Sequence, residues 1–233
     1  MTESIEGAVE TTVHLLRHGE VFNPDGILYG RATGFFLSER GLAMADRVAA
    51  RIGDSDITVI RSSPLERAQQ TAAPLAAARG VEVGIDERLI ESENYFAGRP
   101  FKIGPSLVYN PVAWLHLWNP MRPSWGEPYR QVAARMWASI EDARIAAAGH
   151  EAVLVSHQLP IWIARLRAEK RAYFHDPRRR QCTLCSVTSL RFVGDELVTV
   201  GYSEPAGDMI PAADRRAAFS SGGAGEAGER DEQ

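Results

Sequence analysis

The stretch Val13-His14-Leu15-Leu16-Arg17-His18-Gly19-Glu20 decides how this chain is read. Thr11–Leu16 is apolar and β-branched, the composition of a buried strand. The strand ends in Arg17-His18-Gly19, which sets a guanidinium and an imidazole at the carboxyl edge of a sheet, where open α/β folds bind ligands. Glycine lets the backbone turn sharply and approach a ligand closely. Arginine forks onto phosphate, and histidine is a competent nucleophile towards phosphorus. The motif points to phosphoryl transfer with His18 as the nucleophile.

Working outward, strands and helices alternate. Val21–Phe36 is rich in Gly, Pro, Asn and Asp and reads as a long loop. Leu42–Ile52 has an apolar stripe of Leu42, Ala45, Val48, Ala49 and Ile52, with Ser38 as the expected N-cap. Asp56–Arg61 is a second strand. A helix is expected from Pro64 to about Ala78, capped by Ser63 and stopped before Gly80. Val81–Ile85 reads as a short strand. A further helix runs from Gly126-Glu127-Pro128 to about Ala148, with Val132, Met136, Ile140 and Ala143 on one side. Glu151–Ser156 is another buried strand, and Leu159–Leu166 is helical. Ser186–Phe192 and Glu196–Gly201 form a closing hairpin turned at Gly194-Asp195.

This order predicts an α/β fold: three α/β/α layers around a mostly parallel sheet. The main domain spans residues 11–205, after a flexible segment 1–10 and before a disordered tail at 206–233. Residues 90–128 carry Tyr95, Tyr109, Trp114, Trp118 and Trp125 among several prolines and read as an inserted helical and aromatic lid.

The bulk properties exclude some classes. The 233 residues are 45% hydrophobic and 24% charged, with a formal net charge of −4, so no global basic field suggests nucleic acid. Met1–Glu10 lacks the basic and apolar regions of a secretory signal, and no apolar run is long enough to span a bilayer. A cytoplasmic protein without membrane contact is expected, and a homodimer is compatible with the sequence. Cys182 and Cys185 are too few for a four-cysteine zinc site and sit at the entry to a strand, which favours a structural role. His14 reads as structural, His116, His150 and His175 have no supporting motif, and Arg178-Arg179-Arg180 reads as a solvated loop or a border of the pocket.

Four separated segments occur together: Leu16-Arg17-His18-Gly19-Glu20; Ser62-Ser63-Pro64-Leu65-Glu66-Arg67-Ala68-Gln69-Gln70-Thr71-Ala72; Arg88-Leu89-Ile90-Glu91; and Val153-Leu154-Val155-Ser156-His157. In this order they resemble the histidine phosphatase superfamily, also called phosphoglycerate mutase-like. The resemblance implies that His18 accepts the phosphoryl group and that Arg17, Arg67 and His157 bind its oxygens. It implies that Glu91 protonates the leaving oxygen, and that Asn23 and Gly30 lie in a loop that grips phosphate or substrate. Glu20 lies in the motif without an equally firm role. The chain departs from the family pattern after Glu91: the spacing is shorter, and Ala97 stands where an acid is expected, so Glu93 is an alternative donor. Asn23 comes one residue earlier than in the mutases.

The chemistry asks for these residue types independently. A phosphate monoester carries nearly two negative charges, which arginines and a second histidine offset. An alkoxide leaves poorly without a proton, which calls for a carboxylic acid. No cofactor or metal is required, and the sequence offers no acidic cluster of the two-metal kind. The expected function is a metal-independent phosphatase acting on a small phosphorylated metabolite. A phosphoglycerate mutase and a non-catalytic phospho-ligand binding protein are the alternatives.

Overall fold

A computed structural model describes residues 9–52, 54–93, 126–211 and 223–224. The expected aromatic lid lies almost wholly outside these residues, as do most of the expected flexible N-terminus and most of the expected tail.

The described chain runs β1 (Glu10–Arg17), β2 (Val21–Phe22), α1 (Glu39–Ile52), β3 (Ile57–Ser62), α2 (Glu66–Arg79), β4 (Val83–Ile85), a 3-10 turn (Glu87–Leu89), α3 (Tyr129–Ala146), β5 (Glu151–Ser156), α4 (Gln158–Ala168), a 3-10 turn (Pro177–Arg179), β6 (Val187–Val193), β7 (Glu196–Ser203), a 3-10 turn (Gly207–Met209) and β8 (Gly223–Ala224). A six-stranded sheet has the order β4-β3-β5-β1-β6-β7. β4, β3, β5 and β1 pair in parallel, and the closing hairpin adds β6 and β7 antiparallel.

Side-chain alternation along the strands builds the two cores. Val13 and Leu15 of β1, with Ala152 and Leu154 of β5, pack on one face with Val132, Met136 and Ile140 of α3 and Ile161 and Ile163 of α4. Leu16, Val153 and Val155 pack on the opposite face with Met44 and Val48 of α1 and Ala68, Ala72 and Leu75 of α2. Both sheet faces are covered, which is why β1 and β5 read as near-continuous apolar runs. Among the described residues no helix is long and apolar enough to cross a membrane.

Several boundaries differ from the sequence reading. The loop after β1 contains β2, which pairs with β8 and bridges Leu37. Helix α1 starts at Glu39 rather than Leu42, because the Ser38 hydroxyl accepts from the Gly41 N–H at 3.0 Å and three more residues join the first turn. Helix α2 starts at Glu66 rather than Pro64. Leu65 is its extended N-cap (φ −76°, ψ 137°), and the Ser63 hydroxyl is bonded to the His157 ring instead. Gly80 ends α2 in the left-handed conformation, φ 63°. Ala206 and Ile210 are buried in the α1/α2 core, so packed chain extends past residue 205.

Two glycines join β1 to α1 by close backbone approach. A Cβ at Gly41 would lie 2.0 Å from the Glu20 carbonyl oxygen, and one at Gly19 would lie 2.7 Å from the Gly41 carbonyl oxygen. Glycine at 41 is therefore retained inside a helix despite its poor propensity.

Candidate active site

Strand register assembles the site. β1 and β5 pair with Arg17 opposite Ser156, so His18 and His157 emerge side by side at the carboxyl edge. The His18 N–H donates to the Ser156 carbonyl at 3.1 Å, and the ring centroids of His18 and His157 are 5.1 Å apart. β3 ends level with them, with Ser62 opposite Val155 and the Ser63 N–H on the Val155 carbonyl at 2.9 Å. The first turn of α2 then carries Arg67 under the same edge. Arg17, His18, Arg67 and His157 are all buried.

Each ring has a defined orientation. His18 Nδ1 lies 2.7 Å from the Gly19 carbonyl oxygen, which only accepts. The proton is therefore on Nδ1, and Nε2 carries the lone pair. His157 Nε2 lies 2.8 Å from the Ser63 hydroxyl oxygen. That oxygen accepts from the Leu65 N–H at 3.4 Å, and among the described residues Nε2 is the acceptor open to its proton, which assigns the His157 proton to Nδ1.

The arginines are held by neutral carbonyls. Arg17 Nη1 donates to the Cys182 carbonyl at 2.7 Å. Arg67 Nη2 donates to the Gly30 carbonyl at 2.6 Å and Nη1 to the Ala32 carbonyl at 3.3 Å. Among the described residues neither arginine forms an ion pair. Arg17 Nε, Arg67 Nε and His157 Nδ1 are buried without a hydrogen-bond partner. Orphaned buried donors on cationic groups are costly unless an anion satisfies them.

Electrostatics follow from this surplus of positive charge. Burial first, then Arg67 and Arg17, hold the His18 pKa well below its usual range, against the pull of the Gly19 carbonyl. Burial and then Arg67, His18, Arg17 and Arg135 do the same to His157. Both rings are neutral at physiological pH.

Glu91 is half-buried and follows the Glu87–Leu89 turn. Burial raises its pKa, although the Ser92 N–H and the charges of Arg67, Arg17 and Arg135 oppose the rise. One carboxylate oxygen accepts from the Ser92 N–H at 2.8 Å. Arg31 fixes the backbone there, its Nε donating to the Glu91 carbonyl at 2.6 Å. Glu93 points elsewhere: its carboxylate is exposed and ion-paired to Arg31 Nη1 at 2.9 Å.

Asn23 and Gly30 lie in the loop after β1 and brace it. Asn23 bonds Ile27 in both directions, Nδ2 to its carbonyl at 2.8 Å and Oδ1 from its N–H at 3.0 Å. The Gly30 carbonyl points at Arg67. Glu20 is a brace, accepting from the Ser38 hydroxyl at 2.7 Å and from Arg40 Nε at 2.6 Å. Cys182 and Cys185 are buried free thiols, and burial pushes the Cys185 pKa up to about 12. His14 is a structural bridge between Ser189 at 2.8 Å and Glu151 at 2.7 Å.

Other participants carried no sequence signal. The buried Tyr29 ring lies 4.6 Å below the Arg67 guanidinium carbon and edge-on to His18. The Gly19 N–H donates to the Thr71 hydroxyl at 3.0 Å, and that hydroxyl donates to the Arg67 carbonyl at 2.7 Å. The turn after His18 and the Arg67 backbone are thus tied through one threonine.

The model of the histidine phosphatase superfamily (branch 1) matches residues 13–205. The chain belongs to this superfamily. Its relatives include "Uncharacterized protein Rv0525" of Mycobacterium tuberculosis, 54% identical over 197 residues, covering 84% of this chain and 98% of the relative. "Probable phosphoglycerate mutase GpmB" of Yersinia pestis is 30% identical over 203 residues, covering 84% and 92%. Mycobacterial glucosyl-3-phosphoglycerate phosphatase Rv2419c, solved with VO3, superimposes with a TM-score of 0.64 at 26% identity, covering 77% of this chain and 90% of that one.

Proposed function

We propose that the protein is a phosphatase that hydrolyses a small phosphomonoester through a phosphohistidine at His18, without a metal. One observation carries this reading: a neutral His18 with an uncommitted Nε2 lone pair shares the carboxyl edge of the sheet with three buried donors that have no hydrogen-bond partner, Arg17 Nε, Arg67 Nε and His157 Nδ1.

The donors bind the non-bridging oxygens of the phosphoryl group and offset its charge as the transition state forms. His18 Nε2 attacks phosphorus. The phosphorus–oxygen bond to the leaving group breaks, and Glu91 delivers its proton to the departing oxygen. The Gly19 carbonyl holds the Nδ1 proton as the ring gains positive charge. Water next attacks the phosphohistidine, Glu91 takes its proton, and the phosphorus–nitrogen bond breaks to release inorganic phosphate and restore neutral His18. Bound phosphate adds negative charge beside Glu91, which favours the protonated form that the first step requires.

The name of the GpmB relative motivates a second reading, a mutase that returns the phosphoryl group to a phosphoglycerate. One experiment separates the two. The protein is incubated with p-nitrophenyl phosphate in EDTA, and with 3-phosphoglycerate plus a bisphosphoglycerate primer. Rapid quenching is used to trap an acid-labile phosphoprotein. Phosphate release despite the chelator, with a phosphoprotein that His18→Ala abolishes, supports the phosphatase. Isomerisation without release supports the mutase. Ligand binding with neither reaction rejects both.

A further inference from the structure

In the reading above Arg17, Arg67, His18 and His157 hold the phosphoryl group, and a further arginine stands on the chain segment that braces Arg17. Arg180 follows the Pro177–Arg179 turn and stands two residues before Cys182, whose carbonyl holds Arg17. It is half-buried, and its Nε donates to His175 Nε2 at 2.8 Å. His175 is built to receive it. Its Nδ1 donates to the Tyr173 carbonyl at 2.7 Å, which leaves Nε2 as the acceptor. The His175 ring is flanked by Tyr129 at 5.7 Å and Trp162 at 5.9 Å between centroids.

This bracket uses only one of the five N–H donors of the Arg180 guanidinium. Among the described residues no carboxylate forms an ion pair with it. Its charge is nonetheless within electrostatic reach of Glu91 and Arg17, and burial lowers its pKa. Glu91 marks the side of the phosphoryl group from which the leaving oxygen departs.

We propose that Arg180 binds a second anionic group, a carboxylate or a second phosphate, carried by the leaving group of the substrate. The inference rests on the phosphatase reading above and narrows its substrate class. A guanidinium fixed through Nε presents its two terminal nitrogens as a fork, the geometry that fits carboxylate and phosphate. Neutral His175 holds the fork without cancelling its charge.

The test compares kcat/KM for matched esters in the full-length protein. Phosphoserine against phosphoethanolamine reads the carboxylate, and propane-1,3-diyl bisphosphate against propyl phosphate reads the second phosphate. A charge-assisted pair of hydrogen bonds predicts a preference of about 10- to 100-fold for the anionic member of one pair. Arg180→Gln collapses that ratio towards one, Arg180→Lys restores part of it, and Arg179→Gln, at an exposed neighbour, keeps it. A wild-type ratio near one in both pairs overturns the proposal, as does a ratio that Arg180→Gln leaves intact. Calorimetric binding of the same four compounds to the His18→Ala protein reads the preference without turnover. If the wild type hydrolyses none of the esters, the phosphatase reading fails while the binding ratio still decides the role of Arg180.

Discussion

Replacing Glu91 by glutamine removes the proton given to the leaving oxygen and, in the second step, the base that takes the proton of water, while leaving shape and size in place. The Glu91 oxygen that accepts from the Ser92 N–H at 2.8 Å has a counterpart in the glutamine carbonyl, and the side-chain volume is conserved. Fold and ground-state binding are therefore expected to survive, so KM changes little. General acid catalysis contributes roughly 100- to 10,000-fold, or about 3–5 kcal/mol of barrier, where the leaving group needs a proton. An alkyl phosphate should lose kcat/KM, which reports transfer to His18 and not the later hydrolysis, by that factor. p-Nitrophenyl phosphate, whose phenolate leaves unaided, should lose less than about 10-fold. Steady-state kinetics on both esters across pH give a second readout. Burial raises the Glu91 pKa, so kcat/KM for the alkyl ester declines as pH rises through that raised value, and Glu91→Gln removes this limb. Equal losses on both esters would refute the reasoning. So would an alkyl-selective loss in Glu93→Gln, whose carboxylate is 68% exposed and paired to Arg31.

Gly41→Ala places a methyl 2.0 Å from the Glu20 carbonyl oxygen, backbone against backbone, and should cost about 3 kcal/mol or more despite the better helix propensity of alanine; a melting temperature within a degree or two of wild type contradicts it. Ser63→Ala leaves the buried Nε2 of His157 unpartnered, at a cost of roughly 1–3 kcal/mol, and frees the ring tautomer. Inhibition by vanadate should weaken and kcat/KM should fall by about 10-fold or more, and unchanged vanadate affinity argues against it. His18 and His157 are held neutral in the fold, while their unfolded counterparts take up protons below about pH 6.5. Their contribution to stability is thus complete above that pH and lost as pH falls, with Glu91, whose pKa is raised, acting in the opposite direction. Melting temperatures in phosphate-free buffer should fall from pH 7 to pH 5, and the fall should be shallower in a His18→Gln, His157→Gln protein.

The strands that hold the candidate site are legible in the residues alone. β1 and β5 are short, largely apolar runs and β3 a mixed one with alternating burial, and each ends in polar residues: Arg17-His18, Ser62-Ser63 and Ser156-His157. That pattern is local and follows from burial alone. Alignment of the three ends at one level came from strand register, a long-range property. Ser63 shows the limit of local reading: its sequence context is that of a helix cap, but the nearness of His157 redirected its hydroxyl. Tyr29, Thr71 and Arg180 lie in a loop, on a helix and after a 3-10 turn with no periodicity to single them out, and only packing set them against Arg67, Gly19 and His175. The carbonyls of Cys182, Gly30 and Ala32 that aim Arg17 and Arg67 were invisible for a simpler reason: every residue has a carbonyl, and only the folded chain decides where each one points.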